Sequence, residues 1–150
     1  MTQTEIIQIL SGFVGALGFA ILFNIRGKRL VAASVGGLLS WLLYILINNV
    51  IDNSVVTYFI VSFIISIYSE IMARVLKTPT TTFIITSLIP MIPGSSLYYT
   101  MVSAFKMDQN DFLVKAVSTL QLAAALALGI VVVTTFARLF HKSVNFKGEK

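Results

Sequence analysis

Residues 86–100 read Thr86-Ser87-Leu88-Ile89-Pro90-Met91-Ile92-Pro93-Gly94-Ser95-Ser96-Leu97-Tyr98-Tyr99-Thr100, inside an apolar run from about Thr80 to Phe105. Two prolines and a glycine interrupt a segment otherwise long enough to cross a bilayer. In hydrocarbon every backbone N–H and C=O needs a partner, so irregular backbone is tolerated mainly where protein encloses it or where it lines a solute path. Thr80 to Ile89 and Ser95 to Lys106 would each give roughly 15 Å of helix, which puts the break near the bilayer midplane.

The flanking sequence supports that reading. Charged residues make up 11% of the chain, against about 25% in soluble domains, and the apolar residues gather in runs of span length. The expected fold is an all-α integral membrane protein, a single transmembrane domain over residues 1–150 with about five spans. These run from about Ile6 to Ile25, Leu30 to Ile51, Ser54 to Leu76, Thr80 to Phe105 (broken at Pro90–Gly94) and Phe112 to Phe140. The connections are short: Arg26 to Arg29, Asp52-Asn53, Lys77 to Pro79, and Lys106 to Asp111. Pro79 suits the first turn of the helix that follows. The leader before the first run, Met1 to Glu5, carries no Lys or Arg and the run exceeds an h-region, so it reads as a span and not a cleaved signal. No internal repeat is evident, and five spans look like one half of a ten-span transporter.

Charge sets the expected orientation. In a five-span arrangement Arg26, Lys28, Arg29, Arg74, Lys77, Arg138, Lys142, Lys147 and Lys150 share one side, nine in all, and only Lys106 and Lys115 fall on the other. Lys and Arg prefer cytoplasmic flanks, so the N-terminus is expected outside and the C-terminus in the cytoplasm. The net charge of +5 then follows from topology and attraction to anionic lipid, and no nucleic-acid partner is expected.

The break offers specific chemistry. Pro90 and Pro93 lack N–H groups, which would free the carbonyls of Thr86 and Ile89 if both flanks stay helical. Gly94 permits a backbone turn closed to other residues. Ser95 and Ser96 would open the second half-helix with exposed amides at its positive end, which attracts anions, while freed carbonyls attract an ammonium or a cation. Thr86, Ser87, Tyr98, Tyr99 and Thr100 add hydroxyls. Together these suit a small zwitterion, or a carboxylate travelling with an ion. The competing reading is a kinked helix whose prolines serve packing and whose hydroxyls return to the backbone.

Glu70 is the only acid well inside a span, four residues before Arg74. It reads either as half of an ion pair snorkelling to the interface or as a coupling carboxylate. Asn24, near the end of the first span, could bind solute or cap a helix. Asn48 and Asn49 read as interfacial, and Gln121 as an interhelical hydrogen-bonding residue. Gly12, Gly15 and Gly18, Gly36-Gly37, and the alanines from Ala123 to Ala127 read as close-packing surfaces, including toward another subunit; Trp41 needs no special role. His141 lies past the last span without the further ligands a metal site requires. The absence of cysteine excludes disulfides. No nucleophile–base set and no P-loop stand out, so no enzyme activity and no cofactor are expected.

Gly18-Phe19-Ala20-Ile21-Leu22-Phe23-Asn24, then Thr82-Phe83, then Ile89-Pro90-Met91-Ile92-Pro93-Gly94-Ser95-Ser96-Leu97-Tyr98 with Met101 downstream, resembles the bacterial threonine/serine exporter family, and more closely its small-subunit members. The resemblance implies secondary export across the bacterial inner membrane. It also implies a split form in which a larger membrane subunit carries the other five spans, a homo-oligomer being the alternative. It carries over to Pro90, Pro93, Gly94 and Asn24. Some split members are associated with export of succinate and related dicarboxylates, so threonine or serine is the first expected substrate and succinate the second. The solute site is expected at Asn24, Thr86, Pro90, Pro93, Gly94, Ser95, Ser96 and Tyr98, with Glu70 for coupling. The rivals are a non-transporting assembly subunit and a passive channel.

Overall fold

A computed structural model of the chain describes the backbone of residues 3–147 and the side chains of residues 3–139. His141, Lys142, Lys147 and Lys150 therefore lie outside the described side chains. The described residues form helices and turns with no strand. The helices are α1 (Gln3–Leu22), α2 (Lys28–Ile51), α3 (Ser54–Val75), α4 (Thr80–Leu88), α5 (Gly94–Phe105) and α6 (Gln109–Lys147), with a 3₁₀ turn at Ile89–Met91 between α4 and α5. Among them α1, α2, α3 and the Gln109–Leu139 part of α6 are long and apolar enough to cross a membrane. The expected fourth span is two short helices, of nine and twelve residues.

The connections are legible in local chemistry. α1 ends at Asn24, whose φ of 57° places it in the left-handed region that Asn tolerates. There Ile25 N–H reaches Ala20 C=O at 2.9 Å and Asn24 N–H reaches Ile21 C=O at 2.9 Å, a Schellman closure. The same closure recurs after α3, where Lys77 has φ 47° and Thr78 N–H reaches Ala73 C=O at 2.9 Å. It recurs after α5, where Met107 has φ 56°. α2 begins at Gly27, with φ 64° and ψ −139°, a conformation open to glycine. α3 begins at Asn53, whose side chain accepts from the amides of Val55 (3.1 Å) and Val56 (3.3 Å). Pro79 stands at the N-cap of α4, one position before the first turn where the sequence places it.

Short links make consecutive helices antiparallel neighbours. α1 packs on α2, α2 on α3, α3 on α4 and α6, and α4 also on α2, while α5 packs on α6. One apolar core, including Tyr58, Ile65, Leu88, Met91 and Leu122, joins α3, α4 and α6; a second, including Ala20, Ala33, Ala73 and Phe83, joins α1 to α4.

The closest approaches run through small residues. A Cβ on Gly37 would overlap Ala16, one on Gly36 would overlap Ser87, and one on Gly129 would overlap Ser62 and stand 2.8 Å from the Phe59 carbonyl. Gly15 and Gly18 differ: a Cβ there meets nothing within 4 Å. Gly129→Ala presses on α3 backbone, which cannot rotate away, and is expected to destabilise the protein by about 1–3 kcal/mol. Gly15→Ala has no such obstacle and is expected to be neutral or slightly stabilising in the isolated chain, because alanine favours helix over glycine. Thermal unfolding of both variants in detergent measures the difference.

Candidate functional site

Pro90 removes the N–H that would close on the Thr86 carbonyl in a continuous helix. The chain tightens here instead of opening fully. Ile92 N–H turns back to the Ile89 carbonyl at 3.1 Å, and Gly94 N–H to the Ile92 carbonyl at 2.7 Å. Pro93, with φ −74° and ψ 62°, is the centre of an inverse γ-turn. Two expectations are corrected by this geometry. Of the two carbonyls, that of Ile89 is taken by the 3₁₀ turn. Gly94 does not supply a left-handed turn: among the described residues Gly27 is the glycine with positive φ, and a Cβ on Gly94 would meet nothing within 4 Å. The ring of Pro93 fixes the turn.

Beyond the turn, α5 starts with Pro93 at its N-cap and no side chain capping it. Ser95 is exposed and Ser96 half-buried. Tyr98 is 63% exposed, with its ring 5.5 Å from that of Tyr99. α5 is held to α6 by polar contacts: Thr100 and Thr119 hydroxyls lie 3.1 Å apart, and Asp111 accepts from Ser103 at 2.5 Å and from Lys115 at 2.6 Å. The Thr86 hydroxyl is buried and donates back to the Thr82 carbonyl at 2.8 Å. Asn24 caps α1, and its side-chain oxygen accepts from Arg26 Nε at 2.9 Å. Its neighbours Phe23 and Ile25 line a cavity with Thr81 and Thr82, so Asn24 sits near the start of α4 and the break lies at the far end.

The break itself borders a cavity of about 280 Å³ lined by Gln8, Ser11 and Gly15 of α1, Trp41 of α2, and Ile89-Pro90. Gly12 makes the approach possible: its Cβ, were there one, would be 3.3 Å from Trp41 Cβ and 3.6 Å from Pro90 Cβ. Trp41 Nε1 is buried and has no hydrogen-bond partner. A buried N–H without an acceptor costs about 1–3 kcal/mol, and this one is closed to water in the present conformation. Gln8 and Ser11 add an amide and a hydroxyl. Of the expected site residues, the structure brings Pro90 to this cavity; Ser95, Ser96 and Tyr98 lie beyond the turn on α5.

Trp41, to which the sequence assigned no special role, stands on the wall of this cavity. Its signal was position: it is the only tryptophan in the chain and stands near the middle of α2, away from the interfacial belt where tryptophan collects. Ser66 and Ser69 of α3 and Ser87 of α4 are fully buried with hydroxyls that have no partner, and that of Ser87 lies against Gly36 of α2. Glu70 lies at the end of α3 where α4 begins, apart from the break. Its carboxylate is 3.8 Å from Arg74. Among the described residues no group of three or more His, Cys, Asp or Glu side chains could hold a metal ion.

Residues 8–136 match the family model described as Threonine/Serine exporter, ThrE. No curated protein and no solved structure matches the chain.

Proposed function

Since the chain belongs to the threonine/serine exporter family, a family of transporters and not of enzymes, we propose that it is one five-span half of a secondary exporter of small amino acids, threonine or serine first. α4, the 3₁₀ turn and α5 together make the broken fourth span. The basic flanks of α1, α3 and α6 favour a cytoplasmic C-terminus in a bacterial inner membrane. The observation that carries the reading is the break itself, where Pro90 borders a cavity of about 280 Å³ whose wall includes Trp41, a residue with a buried and unpartnered indole N–H. On this reading the indole N–H takes the solute carboxylate once the wall opens enough to expose it, and Gln8 and Ser11 offer polar groups to the rest of the solute. Pre-placed polar groups of this kind, in an otherwise apolar wall, are how small-solute sites achieve orientation.

The cavity is bounded by one face of α1 that none of the described residues covers: Gln8 and Ser11 are exposed and Gly15 and Gly18 have open space around them. Small residues on a membrane helix suit close approach of another helix. This supports closure of the cavity by a second half, the larger subunit of a split exporter or a second copy. The two halves would rock about the break to expose the solute to each side in turn.

Efflux from proteoliposomes containing the chain with whatever co-purifies from native membranes is the direct test. Vesicles loaded with threonine, serine or succinate are placed under an imposed proton or sodium gradient. Gradient-driven efflux of threonine or serine is expected, with succinate retained. Equilibration that ignores the gradient identifies a channel. Succinate efflux without threonine efflux moves the substrate to dicarboxylates. No flux of any of the three removes transport from this chain.

A further inference from the structure

A second cavity, of about 470 Å³, opens where α3 ends and α4 begins, and is lined by Glu70 and Arg74 of α3, Thr80 and Thr81 of α4, and Thr134 and Arg138 of α6. It shares no lining residue with the cavity at the break. Its charges are unevenly matched: two arginines and one glutamate are among the residues that line it. Glu70 is 19% exposed, and its contact with Arg74 is 3.8 Å, too long for a hydrogen bond. The carboxylate thus keeps lone pairs available to a further donor. Arg138 stands on a different helix from that pair, and its planar fork matches a carboxylate in two hydrogen bonds. The Thr134 hydroxyl donates to the Ile130 carbonyl of its own helix at 2.9 Å, so it is given no part in holding the solute.

Both signs of charge on one small, partly apolar wall define a ligand with both signs. We propose that this cavity is a second solute site, selective for an amino-acid zwitterion, in which Arg138 takes the carboxylate and Glu70 takes the ammonium. A dicarboxylate would set its second carboxylate against Glu70, and that repulsion is the source of selectivity. Glu70 is then a solute-recognition residue and not a coupling acid. The inference rests on the exporter reading only for the choice of threonine as probe.

The chain has no cysteine, so Thr134→Cys gives a single reporter on the cavity wall. In nanodiscs of neutral lipid, where both faces are open, modification of that cysteine by a hydrophilic thiol reagent is timed. Saturating threonine is expected to slow it at least about fivefold by occupying the cavity, and succinate to leave it unchanged. Glu70→Gln and Arg138→Gln, each in the Thr134→Cys background, lose the protection; Arg138→Lys, which keeps the charge, retains part of it and controls for folding. Trp41→Phe keeps full protection, since it belongs to the other cavity, so failure of the break site and failure of this one are told apart. The proposal is overturned if threonine gives no protection, if succinate protects equally, or if Glu70→Gln stays protected. It is also overturned if adding anionic lipid alone slows the reagent and leaves threonine without effect, which would make this a headgroup site.

Discussion

Replacing Pro90 and Pro93 together with alanine is expected to reduce gradient-driven efflux to the level of empty vesicles while the protein still inserts. Each proline in a helix interior costs about 3 kcal/mol relative to alanine, so removing both strongly favours one continuous helix from Thr80 to Phe105. In that helix the residue 90 amide closes on the Thr86 carbonyl. The 3₁₀ turn that presses Pro90 against Gly12 and Trp41 straightens, and the cavity between α1 and α2 loses one wall. α5 is tied to α6 by the Ser103–Asp111–Lys115 and Thr100–Thr119 contacts, so straightening also pulls those helices from their present places. Gly94→Ala is the matched control. A methyl group there meets nothing and φ is not positive, so efflux should stay near the parent rate. Transport that survives the double replacement at equal expression removes the break from the mechanism.

Trp41→Phe is expected to lower threonine transport about 10- to 100-fold, the range for losing a hydrogen bond to a charged group. The same change should leave the melting temperature unchanged or raise it. These opposite signs separate binding from packing. In the absence of solute the indole N–H is buried and unpaired, so deleting it relieves a cost, while most of the side chain's apolar packing, including that on Tyr44, remains. A purely structural tryptophan would show a fall in stability with transport following it. Parallel efflux and thermal-unfolding measurements on the variant decide between the two, and full transport in Trp41→Phe removes the indole from the site.

Much of the helical architecture is legible residue by residue. The apolar runs mark α1, α2, α3 and α6, and the short polar stretches at Arg26 to Arg29 and Asp52-Asn53 mark the connections between them. Pro90 and Pro93 announce the interruption because an imino nitrogen cannot donate. Glu70–Arg74 appears as the spacing suggests, at one helical turn. The site was less legible. Ser95, Ser96 and Tyr98 lie on the second half-helix that the prolines announce, and none of them lines the cavity that Pro90 borders. Trp41, Gln8 and Ser11 lie far away in the chain and reach Pro90 only because Gly12 lets α1, α2 and the turn come together.

What the chain alone determined was local: apolar length fixes which segments can cross a bilayer, side-chain caps fix where helices start, and proline fixes where a backbone ladder must fail, since each depends on residues within a turn or two. What only the tertiary structure decided was which groups share a cavity and which polar atoms go without partners. Those depend on how closely α1, α2 and α4 approach, and that distance is set by contacts such as Gly37 on Ala16 and Gly36 on Ser87, between helices whose pairing no local pattern encodes.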